Sequence, residues 1–334
     1  MATADVTVMG AGVFGLSVAY ACARRGAVIR VIDPAGVAAG SSGGLVGALA
    51  PHVPENWNEK KAFQFESLIM AQAFWAGVEG LTGADVGYAR TGRLQPLADA
   101  RAVTLAQARA ATAAELWEGK ATWTVVEAGQ TAWMPPSPTG LVVRDTLSAL
   151  IHPRRATQAL ADAVIALGGF VETEGRAEGQ VVWATGWTGV AEIGGTGVKG
   201  QAALLQYNAA GQPQLFADAL HIIPHGDGTV AIGSTSERVF DDPTATDAAL
   251  GDILVRAVAA FPVLADAQVL ERWAGVRPRS KSRAPVLGAH PTREGAYIAN
   301  GGFKIGFGMA PKVGEVMADL IMEGRDTIPD DFRA

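Results

Sequence analysis

Apolar residues fall in short, punctuated blocks along this chain. Val6-Thr-Val-Met9 runs into Gly10-Ala-Gly12-Val-Phe-Gly15, then into an apolar stretch from Leu16 to Arg25. A second block, Val28 to Ile32, ends on an acid, Asp33. Short apolar runs bounded by glycine read as buried strands, and longer runs at helical spacing as helices. The opening is therefore predicted to be strand, glycine turn, helix, strand. Further helices are predicted over 59–81 and 100–118, with a hairpin-like stretch around 88–97 between them. The strongest break is Met134-Pro-Pro-Ser-Pro-Thr-Gly140. His152-Pro-Arg then opens a helix through Leu167, and Val181-Val-Trp-Ala-Thr-Gly186 is a buried strand ending in glycine. Strands of period two recur over 202–235, a helix lies within 248–261, and 297–322 reads as strand, glycine loop and helix. Strand–helix material at both ends encloses a strand-rich middle. This predicts an α/β (α+β) chain of two domains whose nucleotide-binding part is discontinuous.

The first glycines carry chemistry. Gly10 permits a tight turn, Gly12 lets the backbone approach a pyrophosphate, and Gly15 lets the helix pack on the sheet. The helix N-terminus favours a diphosphate. Asp33 follows at roughly the ~20-residue offset expected of a carboxylate that accepts ribose hydroxyls. An acid there argues against NADP and leaves NAD and FAD open. Gly195-Thr-Gly197-Val-Lys-Gly200 also matches the glycine pattern, but no clear strand leads into it and no acid-terminated strand follows. It is predicted to be a loop, with a strand over 202–207 after it. The segment Val37 to Pro51 is small and glycine-rich, the composition of a loop whose amides contact a ligand closely.

Composition narrows the function classes. The chain has 334 residues, 49% hydrophobic and 18% charged, with net charge −6 and no basic run, so nucleic acid is not an expected partner. No stretch reaches the ~18 apolar residues of a membrane span. The N-terminus enters a strand without a leader pattern, and the one cysteine, Cys22, falls inside the first helix, so a cytoplasmic location is expected. His, Cys and carboxylates show no metal-ligand spacing.

Taken in order, several segments resemble the D-amino acid oxidase family of flavoproteins, most closely its glycine oxidase-like members. They are Gly10/Gly12/Gly15 with Asp33; Ser41-Ser42-Gly43-Gly44 with Gly47-Ala-Leu-Ala-Pro51; Thr91-Gly-Arg-Leu94; Ile151-His-Pro-Arg154; Val182-Trp-Ala-Thr-Gly186; Ile232-Gly-Ser-Thr235 with Glu237; Trp273-Ala-Gly-Val-Arg-Pro278; and Gly301-Gly-Phe-Lys-Ile-Gly306. The resemblance implies noncovalent FAD in a Rossmann-like domain formed by 1–80, 140–200 and 275–334. It implies a substrate domain, 81–139 and 201–274, built on a large antiparallel sheet. It places Val13, Phe14, Asp33, Pro34, Ser41, Ser42 and Gly43 along the adenosine, pyrophosphate and ribityl path. Gly47, Ala48 and Leu49 would approach the flavin, and Ala184, Thr185, Gly186 and Trp187 the adenosine side. Gly302, Phe303, Lys304, Ile305 and Gly306 would reach the pyrimidine edge. Relatives carry extra strands where this chain has only the short segment Glu172 to Gly179, so a less enclosed adenosine and weaker FAD affinity are expected.

The same resemblance implies oxidation of a small amine or amino acid, of the glycine, sarcosine or D-amino acid type, by hydride transfer from carbon to flavin N5. Arg277 stands where the family holds the substrate carboxylate. Lys304 replaces a second arginine, and His221 a tyrosine. Tyr207, His52 and Ser236 are further candidates for the pocket wall. No general base is assigned, because a deprotonated amine held close and aligned needs none. The acceptor is oxygen or another carrier, and a homo-oligomer is compatible with the chain. Two alternatives stand beside this reading. One is a dehydrogenase using a quinone or carrier. The other is a flavin-binding module without its own turnover, suggested by Lys304 and the short segment.

Overall fold

A computed structural model describes residues 3–334. Two sheets organise the chain. In the first, β1 (Val6–Met9) pairs in parallel with β2 (Ile29–Ile32) on one side and with β9 (Gln180–Trp183) on the other. β8 (Phe170–Glu172) extends it beyond β2, and β16 (Tyr297–Asn300) then β15 (Val286–Ala289) extend it beyond β9, the last antiparallel. Helix α1 (Val13–Ala23) is buried along its whole length. Its lack of a polar face follows from being enclosed between this sheet and α7 (Gly306–Glu323). The two helices meet closely: a Cβ on Gly314 would stand 2.6 Å from the Ser17 carbonyl oxygen.

The second sheet has eight strands in the order β14 (Gln268–Arg279), β10 (Thr196–Gln206), β13 (Thr229–Gly233), β12 (Leu220–Pro224), β11 (Gln214–Ala217), β4 (Arg93–Pro96), β6 (Leu141–Asp145), β5 (Trp123–Glu127). All its joints are antiparallel except β11–β4. A two-stranded link, β3 (Ala48–Leu49) with β7 (Ala149–Leu150), ties the glycine-rich loop to this half. Four of the five remaining helices start on side-chain caps that satisfy free amides. Asn58 caps α2 (Glu59–Thr82), Asp99 caps α3 (Ala100–Leu116) and Asp247 caps α6 (Ala248–Ala260). His152 caps α4 (Pro153–Ala166), which has proline at its first turn. Short α5 (Gly186–Glu192) follows β9.

Two local expectations fail. The segment expected as a loop at 195–200 is the first half of β10, paired residue by residue with β14 from Thr196↔Arg279 onward. Its glycines make room for the neighbouring strand: a Cβ on Gly197 would meet Val276, and one on Gly200 the Arg277 guanidinium. The hairpin expected over 88–97 is the single strand β4, whose partners β6 and β11 come from distant sequence. Among the described residues no helix is long and apolar enough to cross a membrane.

Candidate functional site

The ends of α1 and α7 open on one cavity of about 360 Å³, lined by residues of both sheets. On the α1 side, Gly10 takes φ +118°, and a Cβ there would stand 2.4 Å from the Ala184 carbonyl oxygen. A Cβ on Gly15 would stand 2.1 Å from the Gly10 carbonyl oxygen. Both positions therefore require glycine. Gly12 differs, because the nearest atom to its missing Cβ is the Ser42 hydroxyl at 3.2 Å, and Gly12 itself lines the cavity. Ser42 Oγ accepts the Val13 N–H at 3.0 Å, while Leu16 N–H is the first to bond back within the helix. The first-turn amides thus point to the cavity with the positive end of the helix dipole. Asp33 spans the turn, its carboxylate accepting the N–H of Ala11 at 2.8 Å and of Ala35 at 3.0 Å.

On the α7 side, Gly302, Phe303, Lys304, Gly306 and Phe307 line the cavity. Ile305 caps α7 without a side-chain bond, so the first amides of this helix also lack an intrahelical partner. The residues present fit a dinucleotide carrying a ring system. One helix start, over a glycine that leaves space, suits a diphosphate. A second, facing the same cavity, suits an electron-rich ring edge.

The opposite wall comes from the eight-stranded sheet. Arg277 on β14 lies opposite Val198 and passes over Gly200, where a Cβ would stand 2.5 Å from its Nη2. Its Nη1 donates to Ser234 Oγ at 2.8 Å. Its Nη2 donates to the carbonyls of Lys199 at 3.0 Å and Thr235 at 2.6 Å, and its Nε to that of Val198 at 3.4 Å. Burial lowers its pKa to about 10, against the opposing field of Glu237. Lys304 has its pKa lowered by partial burial and by the Arg277 charge. His221, on β12, packs at 4.7 Å between ring centroids on Phe216, its cross-strand partner. Its Nδ1 is buried without a partner, and burial, with the Arg93 and Lys304 charges, pushes its pKa down to about 3. The ring is therefore neutral at physiological pH. Among the described residues no Asp or Glu lines the cavity.

The structure gathers many of the sequence candidates here. Val13, Phe14, Ser41, Ser42, Ala48, Ala184, Gly186, Gly302, Phe303, Lys304, Gly306, His221 and Arg277 all line the cavity. Others lie behind it. Gly43 and Gly47 are needed for chain packing, since their Cβ atoms would fall 2.1 Å from the Ala38 oxygen and 1.7 Å from the Ile151 oxygen. Leu49 is buried in β3, Ile305 is the α7 cap, and Pro34 is exposed after Asp33. Thr185 precedes α5, and Trp187 packs on Phe240.

Three substrate-side candidates are not brought to the cavity wall. Tyr207 stacks on Trp133, 5.9 Å away, at the far end of β10. His52 bonds through its N–H and its ring to the Gln64 side chain. Ser236 is exposed, because the chain leaves β13 at Gly233 and is pulled onto Lys199 through the Glu237 bridge. Ser234, Phe216, Trp273 and Asn300 line the cavity without having been singled out. Ser234 and Trp273 belong to the segments Ile232-Gly-Ser-Thr235 and Trp273-Ala-Gly-Val-Arg-Pro278, which the sequence made legible. Phe216 carried no local signal.

A family described as FAD dependent oxidoreductase matches residues 5–320. The chain is 37% identical over 134 residues to the glycine oxidase of Pseudomonas aeruginosa, a match covering 40% of this chain and 36% of that protein. It is 26% identical over 363 residues to the bifunctional protein ThiO/ThiG of Trichormus variabilis, covering 96% of this chain and 53% of the relative. The matched part is thus about a third to a half of the length of these curated relatives. The crystal structure of glycine oxidase from Geobacillus kaustophilus shares the fold, with a TM-score of 0.86 at 20% identity over 99% of this chain and 98% of that one.

Proposed function

Because the chain belongs to the FAD-dependent oxidoreductase family, we propose that it oxidises a small amino acid or amine bearing a carboxylate, with noncovalently held FAD. The observation that carries this reading is a cavity that two helix N-termini open on and that holds two cations, Arg277 on the large sheet and Lys304 in the loop leading into α7, with no acid among its described lining residues. FAD supplies the two-electron acceptor when bound. Gly12, Val13, Phe14 and Ser42 would hold its diphosphate, and the α7 start its ring edge.

This chain's own residues do the rest. The cations attract and orient the substrate carboxylate, which fixes the carbon bearing the nitrogen. Neutral His221 supplies a polar wall that does not repel an ammonium group. Phe216, Trp273 and Phe307 exclude water and strengthen these charge interactions. The substrate class is that of glycine, sarcosine or a D-amino acid, and electrons leave to oxygen or another carrier, in a cytoplasmic setting. In this reading the cofactor unit is 1–80, 140–200 and 275–334, and the substrate unit is 81–139 and 201–274. The strand at 141–145 joins the larger sheet.

An anaerobic screen of amino acids and amines, followed through flavin absorbance, tests the proposal. Bleaching by at least one carboxylated amine is the expected result. Full oxidation of the flavin throughout the panel would refute turnover. Mixing the reduced enzyme with air-saturated buffer in a stopped-flow instrument then separates oxygen from other acceptors.

A further inference from the structure

The two cations of the cavity are not equivalent. A guanidinium has five N–H groups, and it recognises a carboxylate best through a fork of two parallel ones. In Arg277 four of the five are engaged: Nε with Val198, both protons of Nη2 with Lys199 and Thr235, and one of Nη1 with Ser234. Each possible fork includes Nη2 or Nε, so none is free. Turning the group to present a fork would strip a backbone carbonyl of its partner. It would also lift the guanidinium from the space that Gly200 leaves for it. Glu237 lies close enough to act on the Arg277 charge, so this cation is already partly compensated within the protein.

Lys304 is in the opposite condition. Among the described residues no carboxylate or carbonyl takes a hydrogen bond from its ammonium, and no acid influences it; burial and Arg277 are the effects acting on it. It sits 5.8 Å from the centroid of the Phe303 ring and acts electrostatically on His221 across the cavity. It lines the same cavity as Arg277 and His221, with three unused donors and an uncompensated charge.

We propose that Lys304 is the principal anion anchor of the cavity, and that Arg277 is a pinned residue contributing one N–H to the same carboxylate. The inference rests on the reading of the cavity as a carboxylate-binding site beside a flavin. It implies that the substrate carboxylate is held end-on by a point charge rather than side-on by a fork.

Titrating the FAD-loaded enzyme with benzoate and with acetate, read through perturbation of the flavin spectrum, tests it in wild type, Lys304→Met and Arg277→Lys. Lys304→Met is expected to weaken binding by more than tenfold and to raise KM for the best amine with kcat within about threefold. Arg277→Lys, which keeps a charge but cannot reproduce the internal bonds, is expected to weaken binding by less than Lys304→Met does. Lys304→Met binding within threefold of wild type would overturn the inference. So would Arg277→Lys losing binding while Lys304→Met retains it. Flavin content and melting temperature show whether each variant folds. Should Arg277→Lys fail to fold, the Lys304→Met measurement decides alone. Wild type that binds neither anion and is reduced by no amine would instead refute the proposed function itself.

Discussion

His152 and His225 make a proton-sensitive joint behind the cavity loop. His152 caps α4, and its ring lies 4.9 Å from that of His225, whose Nε2 is 3.0 Å from the Leu45 carbonyl oxygen. Leu45 lines the cavity. Both histidines are almost fully buried, and burial lowers both pKa values, that of His152 to about 4. His225, Arg155 and Arg154 push His152 the same way, and Asp227 opposes them. In the unfolded chain the ordinary value is about 6.5. Between these two values the unfolded chain binds more protons than the folded one, so stability falls as pH falls. It is complete above the unfolded value and declines from there down towards pH 4.

For His152 alone, linkage between 6.5 and about 4 gives a loss of about 2 kcal/mol at pH 5 relative to neutral pH. His221 adds a loss of the same sign. Carboxylates such as Asp227 have lowered pKa values and titrate below this window. The perturbation is His152→Asn, which keeps an acceptor for the Arg155 N–H and removes the titration. Urea unfolding at pH 7.5 and 5.0 measures it. The variant is expected to lose about 2 kcal/mol less than wild type over that interval. Equal losses in both proteins would refute the reasoning, as would a wild type whose stability is flat across the window.

Three further outcomes follow from the geometry. Gly15→Val places a side chain into the Gly10 carbonyl, 2.1 Å from the Cβ position, and is expected to leave protein without flavin after gel filtration; a wild-type flavin-to-protein ratio would count against the cradle. Gly200→Ala pushes the Arg277 guanidinium aside from a 2.5 Å approach. The flexible end of the side chain can yield, so the fold and flavin should survive while KM for a carboxylated amine rises several-fold; an unchanged KM would detach Arg277 from the substrate. Asp145 is fully buried, bonding Arg93 Nε at 3.0 Å and the N–H and hydroxyl of Ser148 at 2.7 and 3.0 Å. Asp145→Ala strands a buried guanidinium and is expected to cost about 3–5 kcal/mol in chemical denaturation; a loss below about 1 kcal/mol would show the pair to be dispensable.

What the chain revealed before folding was local chemistry. Gly10, Gly12, Gly15 and Asp33 lie within one strand–helix–strand unit, so spacing alone brings them together. The C-terminal glycine loop at 301–306 was legible for the same reason, because it joins a strand directly to the helix it serves. The substrate wall was harder to read. Phe216, His221, Ser234 and Arg277 come from β11, β12, the end of β13 and β14. Their meeting depends on strand order, and β-propensity does not encode which strand pairs with which. Tyr207 and Ser236 show the consequence. Each lies near the right strands in sequence, but one sits at the wrong end of β10 and the other beyond the end of β13.

Glycine itself was the ambiguous letter. Its missing side chain can serve a backbone turn, a ligand or a neighbouring side chain, and the sequence writes all three alike. Within the loop at 40–47 the uses alternate. A Cβ on Gly43 or Gly47 would strike backbone carbonyls, whereas one on Gly44 would meet the Trp273 indole at 3.1 Å on the cavity wall. In β10 the glycines that match the dinucleotide pattern and were expected in a loop are gaps cut for β14. Gly200 is the informative one, because it lets Arg277 lie flat on its own sheet, where backbone carbonyls take most of its donors. A residue read as punctuation thus fixes how the cavity's arginine is spent, and so leaves Lys304 as the cation free to meet an incoming anion.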